Sequence, residues 1–108
     1  LVGGVALMTE TAVMADVVIV DNRDFWRVEA HVGGKVAGFA AYRDKQGRRV
    51  FTHTEVDPAF EGQGIGSTLA RAALDKARAD GVGVVPLCPF IKGWIDTHPD
   101  YADLVVAD

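Results

Sequence analysis

Residues 51–68 read FTHTEVDPAFEGQGIGST. A strand-like run ends at Val56, and a loop follows that sets Gly62, Gly64 and Gly66 just ahead of an amphipathic stretch. A helix N-terminus leaves its first N–H groups unpaired and carries partial positive charge. Glycines let an anion approach that backbone closely, so the loop has the makings of a phosphate cradle that needs no lysine. On the loop alone, a flexible turn that merely starts a helix fits as well. A Walker loop does not fit, because Gly66 runs directly into Ser67 with no lysine between. A dinucleotide fingerprint does not fit either, because Gly66 leads to Leu69 and not to a third glycine at that spacing.

Upstream of this stretch the pattern is that of strands. Val17–Val20 is a short β-branched run, and Asn22 and Asp24 suggest a turn. From Phe25 to Val32 the residues alternate, with Trp26, Val28, Ala30 and Val32 on one face and Arg27, Glu29 and His31 on the polar other. Gly33-Gly34 then reads as a two-residue hairpin turn, since both positions tolerate positive φ. Strands 35–42 and 49–56, joined by a polar turn at 44–48, complete an antiparallel meander.

Downstream the period changes. Ile65, Leu69, Ala70, Ala73, Leu74 and Ala77 fall on one arc of a helix, with Ser67, Arg71, Asp75 and Arg78 opposite. Gly81 stands where a C-cap glycine belongs, and Val82–Leu87 is a further strand. Strand, helix and strand in this order predict one right-handed β-α-β crossover. The C-terminal PFIKGWIDTHPDYADLV predicts one or two short helices, with Pro99 at a helix start. The fold class is therefore α/β, a mixed and mostly antiparallel sheet with one crossover and short C-terminal helices.

At 108 residues, 49% of them hydrophobic, the chain has the size and core of one domain. Residues 1–13 open on Leu1 and read as an extension or tag remnant expected to be disordered, ahead of a single domain at 14–108. No run approaches the ~20 apolar residues of a membrane span, and the apolar start lacks the basic region of a signal peptide. A formal charge of −4 argues against a nucleic-acid partner. The single cysteine, Cys88, suits a reducing, cytoplasmic compartment, and the Ala-, Val- and Gly-rich make-up suits a bacterium.

EGQGIGSTLARAAL resembles the acyl-coenzyme A signature of the GNAT acetyltransferase superfamily, Arg/Gln-x-x-Gly-x-Gly/Ala. HTEVDPAFEGQGIGSTLARAALDKA, VPLCPFI and HPDYADLV, in that order, resemble its small Yjdj-type branch. The resemblance spans nearly the whole domain, and it implies an N-acetyltransferase that moves an acetyl group from acetyl-CoA to an amine. It implies cofactor contacts from Val56, Gly62, Gln63, Gly64, Ile65, Gly66, Ser67 and Cys88. Glu61 departs from the signature, standing where Arg or Gln is usual. Its carboxylate is expected to point to solvent, leaving the cradle to backbone N–H groups.

Three side chains are candidates for the chemistry. His53 and Glu55 are two apart on a strand and so share a face. A histidine there suits proton transfer from an attacking amine, and Glu55 suits either orienting it or acting as base. Their plainer reading is a solvated strand face. The resemblance implies a site histidine at position 53 and a catalytic cysteine at position 88. Cys88 either lines the thioester pocket or carries the acyl group covalently, which would need a base such as His53. Pro86 cannot complete a strand ladder, so the strands are expected to part there. His98 is expected to cap or orient a terminal helix, Trp94 and Tyr101 to pack, and His31 to be exposed. The spacing of His53, Cys88 and His98 matches no structural zinc pattern, so no metal is expected. The competing class is a non-catalytic domain that binds coenzyme A or acyl-coenzyme A as a sensor.

Overall fold

A computed structural model of the chain describes residues 16–108, and the extension read at residues 1–13 lies outside them. Five strands form one sheet in chain order: β1 (Val17–Asn22), β2 (Arg27–Val32), β3 (Lys35–Lys45), β4 (Arg48–Val56) and β5 (Gly83–Pro86). Strands β1 to β4 pair antiparallel, and β4 pairs parallel with β5 across helix α1 (Ile65–Asp80). Helix α2 (Pro89–Asp96) and a 3-10 helix (Pro99–Leu104) complete the order. This is the expected α/β architecture with its single crossover. No helix among the described residues is long and apolar enough to cross a membrane.

The hairpins follow from local chemistry. Gly33 and Gly34 take φ of 58° and 81°, the twist that lets Val32 and Lys35 close the β2–β3 pair. The β3–β4 turn is tighter than the polar run 44–48 suggested. Gln46 and Gly47 alone form it, with φ of 52° and 78°, so β3 reaches Lys45 and β4 starts at Arg48. Strand β2 starts two residues later than the alternation indicated. Trp26 sits at φ 53°, its carbonyl accepts the Tyr42 N–H at 2.9 Å, and its ring meets Tyr42 edge-on at 5.8 Å.

Helix α1 buries Ile65, Leu69, Ala70, Ala73, Leu74 and Ala77, the arc read from the sequence. It packs on Val28, Ala30, Ala40, Tyr42 and Phe51 of the sheet. Leu69 and Leu74 are fully buried and contribute roughly 1.5–3 kcal/mol each, more than the three alanines beside them. Gly81, at φ 71°, ends the helix by donating its N–H to the carbonyls of Ala77 and Arg78.

Among the described residues two charged side chains are buried. Arg49 bonds Asp44 and Asp80 and lies over the Tyr42 ring at 4.9 Å. Glu29, expected on a polar face, is only 3% exposed. It accepts bonds from Arg27 Nε at 2.6 Å and Asn22 Nδ2 at 3.1 Å, and pairs with His31 Nε2 at 2.8 Å. His31 is thus half-buried and engaged.

Burial pushes the Glu29 carboxyl up, but its bonds to His31, Arg27 and Asn22 outweigh this and hold it below the usual carboxylate range. With the folded pKa depressed, the stabilisation is complete above an ordinary carboxylate pKa of about 4.3 and is lost as pH falls through the folded value. Urea midpoints measured from pH 6 down to 2 are expected to fall on the acid side. Glu29→Gln is expected to flatten part of that fall. An unchanged acid slope in the variant would remove Glu29 from the account.

Candidate active site

One irregularity in β4 arranges the site. Period-two alternation alone would put Phe51, His53 and Glu55 on one face. The register instead pairs Tyr42 with Phe51 and Ala41 with His53, so Thr52 is an extra residue. Phe51 therefore points into the core beneath α1, whereas His53 and Glu55 project from the opposite face. His53 Nε2 lies 3.0 Å from Glu55 Oε1, and both side chains are exposed. Thr54 and Val56 alternate back toward α1.

The β4–β5 ladder stops at Phe51 and Pro86. The Cys88 N–H donates to the Phe51 carbonyl at 2.9 Å as the chain turns away into α2. From Thr52 to Val56, β4 thus has no strand partner on its β5 side. The parting expected from Pro86 is where the ladder ends. Cys88 sits at this opening, buried to 2% exposure, with Sγ 3.3 Å from Thr54 Oγ1. Cys88 and Thr54 are on the α1 side of the sheet, and His53 and Glu55 on the other. The structure therefore joins His53 to Glu55 and Cys88 to Thr54, but does not bring His53 onto the thiol. Thr54 was not singled out in the sequence; a bulge one residue before His53 gives no periodic signal.

The glycine loop forms the next wall. Asp57 caps a 3-10 turn, Pro58–Phe60, by accepting the Ala59 N–H at 2.8 Å. Glu61 to Gly64 are all exposed, including the Glu61 that departs from the signature. Gly62 and Gly64 take φ of 83° and 76°, and a Cβ at either would stand in open space. Gly64 caps α1 with no side-chain hydrogen bond, and the first turn holds no acidic residue. The first N–H groups of α1 are therefore open to an anion. The side chain of Ile65 is buried in the core, so only its backbone can serve a ligand. Ser67 accepts the Trp94 Nε1–H at 2.9 Å, which ties α2 to the cradle, and the Phe90 ring lies against Gly66. A hollow of about 310 Å³ continues along α1, lined by Ser67, Thr68, Arg71, Ala72 and Asp75.

Trp94 and Tyr101 are buried packing residues, as expected. His98 occupies the cap position of the 3-10 helix without a side-chain capping bond. Its ring stacks on Trp94 at 3.7 Å, with Nδ1 2.7 Å from the Trp94 carbonyl oxygen.

Residues 27–104 match the family model described as GCN5-related N-acetyl-transferase. The chain belongs to the GCN5-related N-acetyltransferase family. A GCN5-like protein of Staphylococcus aureus, solved in solution by NMR, superposes with a TM-score of 0.66 over 88% of this chain and 93% of its own, at 21% identity. That likeness is one of fold. A GNAT family acetyltransferase of Brucella melitensis, solved in complex with acetyl-CoA, matches at 31% identity with a TM-score of 0.50. It covers 56% of this chain, which in turn spans 44% of the Brucella chain. None of the curated proteins matches significantly. Within this acetyltransferase family the glycine loop, the interrupted ladder and Cys88 all fall inside the matched residues.

Proposed function

We propose that this protein transfers an acetyl group from acetyl-CoA directly to an amine. The observation that carries this reading is the uncapped, glycine-lined start of α1 beside the unpartnered edge of β4. Membership of the family and the acetyl-CoA held by the Brucella protein support it. The backbone N–H groups of Gly62, Gln63, Gly64, Ile65, Gly66 and Ser67 would hold the phosphates, aided by the partial charge of the helix end. Val56 and Cys88 would line the path between β4 and β5. Acetyl-CoA, when bound, supplies an activated thioester carbonyl.

The chain's own residues then handle one proton. Glu55, hydrogen-bonded to His53, receives it from the amine as the nitrogen forms its bond to the acyl carbon. The carbon–sulfur bond breaks, and the coenzyme leaves as its thiolate. Cys88 acts on this reading as a wall of the thioester pocket. Its thiol faces Thr54 across the sheet from His53, an arrangement that favours direct transfer over an acyl-cysteine relay. Cytoplasmic residence fits a protein that draws on acetyl-CoA and has one buried, unpaired thiol.

Calorimetric titration with acetyl-CoA tests the cradle. The wild type is expected to bind saturably. Gly64→Ala is expected to weaken binding about tenfold, equivalent to roughly 1.4 kcal/mol, because φ of 76° disfavours any side chain, and relief of that strain would shift the backbone N–H groups that form the cradle. Absence of heat and of any melting shift at millimolar acetyl-CoA would sink the acetyltransferase reading. Binding without turnover would instead make the domain a coenzyme A sensor.

A further inference from the structure

Ser67 is the third residue of α1, and its Cβ leans toward the helix N-terminus, the direction of the cradle. Between Glu61 and Ser67 the chain carries no cation, and only Gln63 and Ser67 have side chains that donate hydrogen bonds. Of the two, Ser67 alone is held by another element among the described residues. Its Oγ lies 2.9 Å from Nε1 of Trp94 on α2. An indole N–H only donates, so Ser67 accepts. One lone pair is thereby used, and the hydroxyl proton is left for a different acceptor. Among the described residues Ser67 makes no other side-chain hydrogen bond, and it is exposed.

The indole is held on several sides. Trp94 is 7% exposed. The His98 ring stacks on it at 3.7 Å with the planes 7° apart, Tyr101 meets it edge-on at 5.2 Å, and Arg71 Cζ lies 5.2 Å from its centroid. Its N–H is therefore fixed before any ligand arrives, which lowers the ordering cost of binding. A buried indole N–H needs an acceptor, and a backbone carbonyl would serve. A hydroxyl does more, because a bond accepted at Oγ polarises the O–H and strengthens the bond it donates. α2 begins at Pro89, directly after Cys88, so the same contact joins the phosphate end of the site to the opening between β4 and β5.

We propose that Trp94 is a positioning residue for cofactor binding: its Nε1–H fixes Ser67 Oγ so that the hydroxyl proton is presented to a phosphate of acetyl-CoA. The inference rests on the reading that acetyl-CoA binds at the start of α1.

Calorimetry tests it through the acetyl-CoA Kd of the wild type, Trp94→Phe, Ser67→Ala and the double variant. Ser67→Ala is expected to raise Kd about tenfold, the low end for a lost hydrogen bond to a charged group, because the site is exposed. Trp94→Phe keeps an aromatic ring against His98 and is expected to raise Kd about two- to fivefold. In the Ser67→Ala background it is expected to add nothing, since the hydroxyl through which it acts is gone. A packing role for Trp94 would give the same factor in both backgrounds, and that additivity overturns the proposal.

A second readout leaves both residues in place. The chain has two tryptophans, Trp26 and Trp94, and Trp26→Phe assigns their indole N–H signals. The full chain is titrated with inorganic pyrophosphate, which has no ring current of its own. Once the hydroxyl donates to the anion, Oγ becomes a better acceptor. The Trp94 indole proton is therefore expected to move downfield saturably, while that of Trp26, at the far end of the turn before β2, stays in place. A static Trp94 signal while the amides of residues 62–67 respond overturns the positioning role and leaves the acetyl-CoA reading standing. No response at those amides, together with no heat from acetyl-CoA, overturns both.

Discussion

Replacing Arg49 by methionine is expected to lower the free energy of unfolding by about 3 kcal/mol. Arg49 sits at the start of β4, with its side chain 3% exposed. Its Nε and Nη2 bond the two oxygens of Asp44 at 2.8 and 3.1 Å, and Nη1 reaches Asp80 at 3.0 Å. One guanidinium thus joins the end of β3, the start of β4 and the last residue of α1, where the helix carbonyls favour a cation. Burial alone would lower its pKa; the bonds to Asp44 and Asp80 outweigh that and hold it charged. Asp44 is pulled below the usual carboxylate range chiefly by its bond to Arg49.

Methionine keeps much of the stem that packs over Tyr42 but leaves two carboxylates without their cation. The low end of the range for a broken buried pair applies, because Asp44 and Asp80 remain 28% exposed and can rehydrate. For a domain of this size such a loss is a large share of the roughly 5–15 kcal/mol available. It corresponds to a melting temperature lower by about 12–24 °C. Urea denaturation of the wild type, Arg49→Met, and the triple variant with Asp44→Asn and Asp80→Asn measures it. The triple variant is expected to recover part of the loss. A single-variant loss within experimental scatter would show that the network orders side chains without holding the fold.

Arg49 also marks where sequence reading ran out. The helix arc from Ile65 to Ala77, the Gly33-Gly34 hairpin and the Gly81 cap were legible, because each is written in a local period or a local φ requirement. The burial of Arg49 and Glu29 was not. Charged residues on strands suggest solvent, and what reverses the suggestion is the convergence of Asp44 and Asp80 on one, and of Asn22, Arg27 and His31 on the other. Such convergence depends on pairing that no local window contains. The glycine loop was legible for the same reason as the helix. The facing of His53 and Glu55 relative to Cys88 was not. Their two-residue spacing gives a shared face, but the extra residue at Thr52 decides which face, and Thr52 looks like any other strand threonine.

That choice of face leads to the largest functional effect expected. Glu55→Gln is expected to lower kcat for acetyl transfer by about 10²- to 10⁴-fold, the range for removal of a positioned general base, while KM for acetyl-CoA stays nearly constant. Glutamine preserves the length of the side chain and an acceptor for His53, so what it removes is the capacity to receive a proton. His53→Ala is expected to cost less, because the ring orients Glu55 from 3.0 Å and does not replace it. Cys88→Ala is expected to leave kcat nearly unchanged, since its thiol packs in the core beside Thr54. The three variants together separate the mechanisms. Direct transfer requires the order Glu55, His53, Cys88 in severity. If Cys88→Ala abolishes turnover with the fold and acetyl-CoA binding intact while Glu55→Gln retains it, direct transfer is overturned, and a single acetyl adduct on Cys88 by mass spectrometry would assign the acyl group to the thiol. The opening between β4 and β5 would then admit a nucleophile from the α1 side, with Thr54, the residue in contact with Sγ, as the neighbour that positions it.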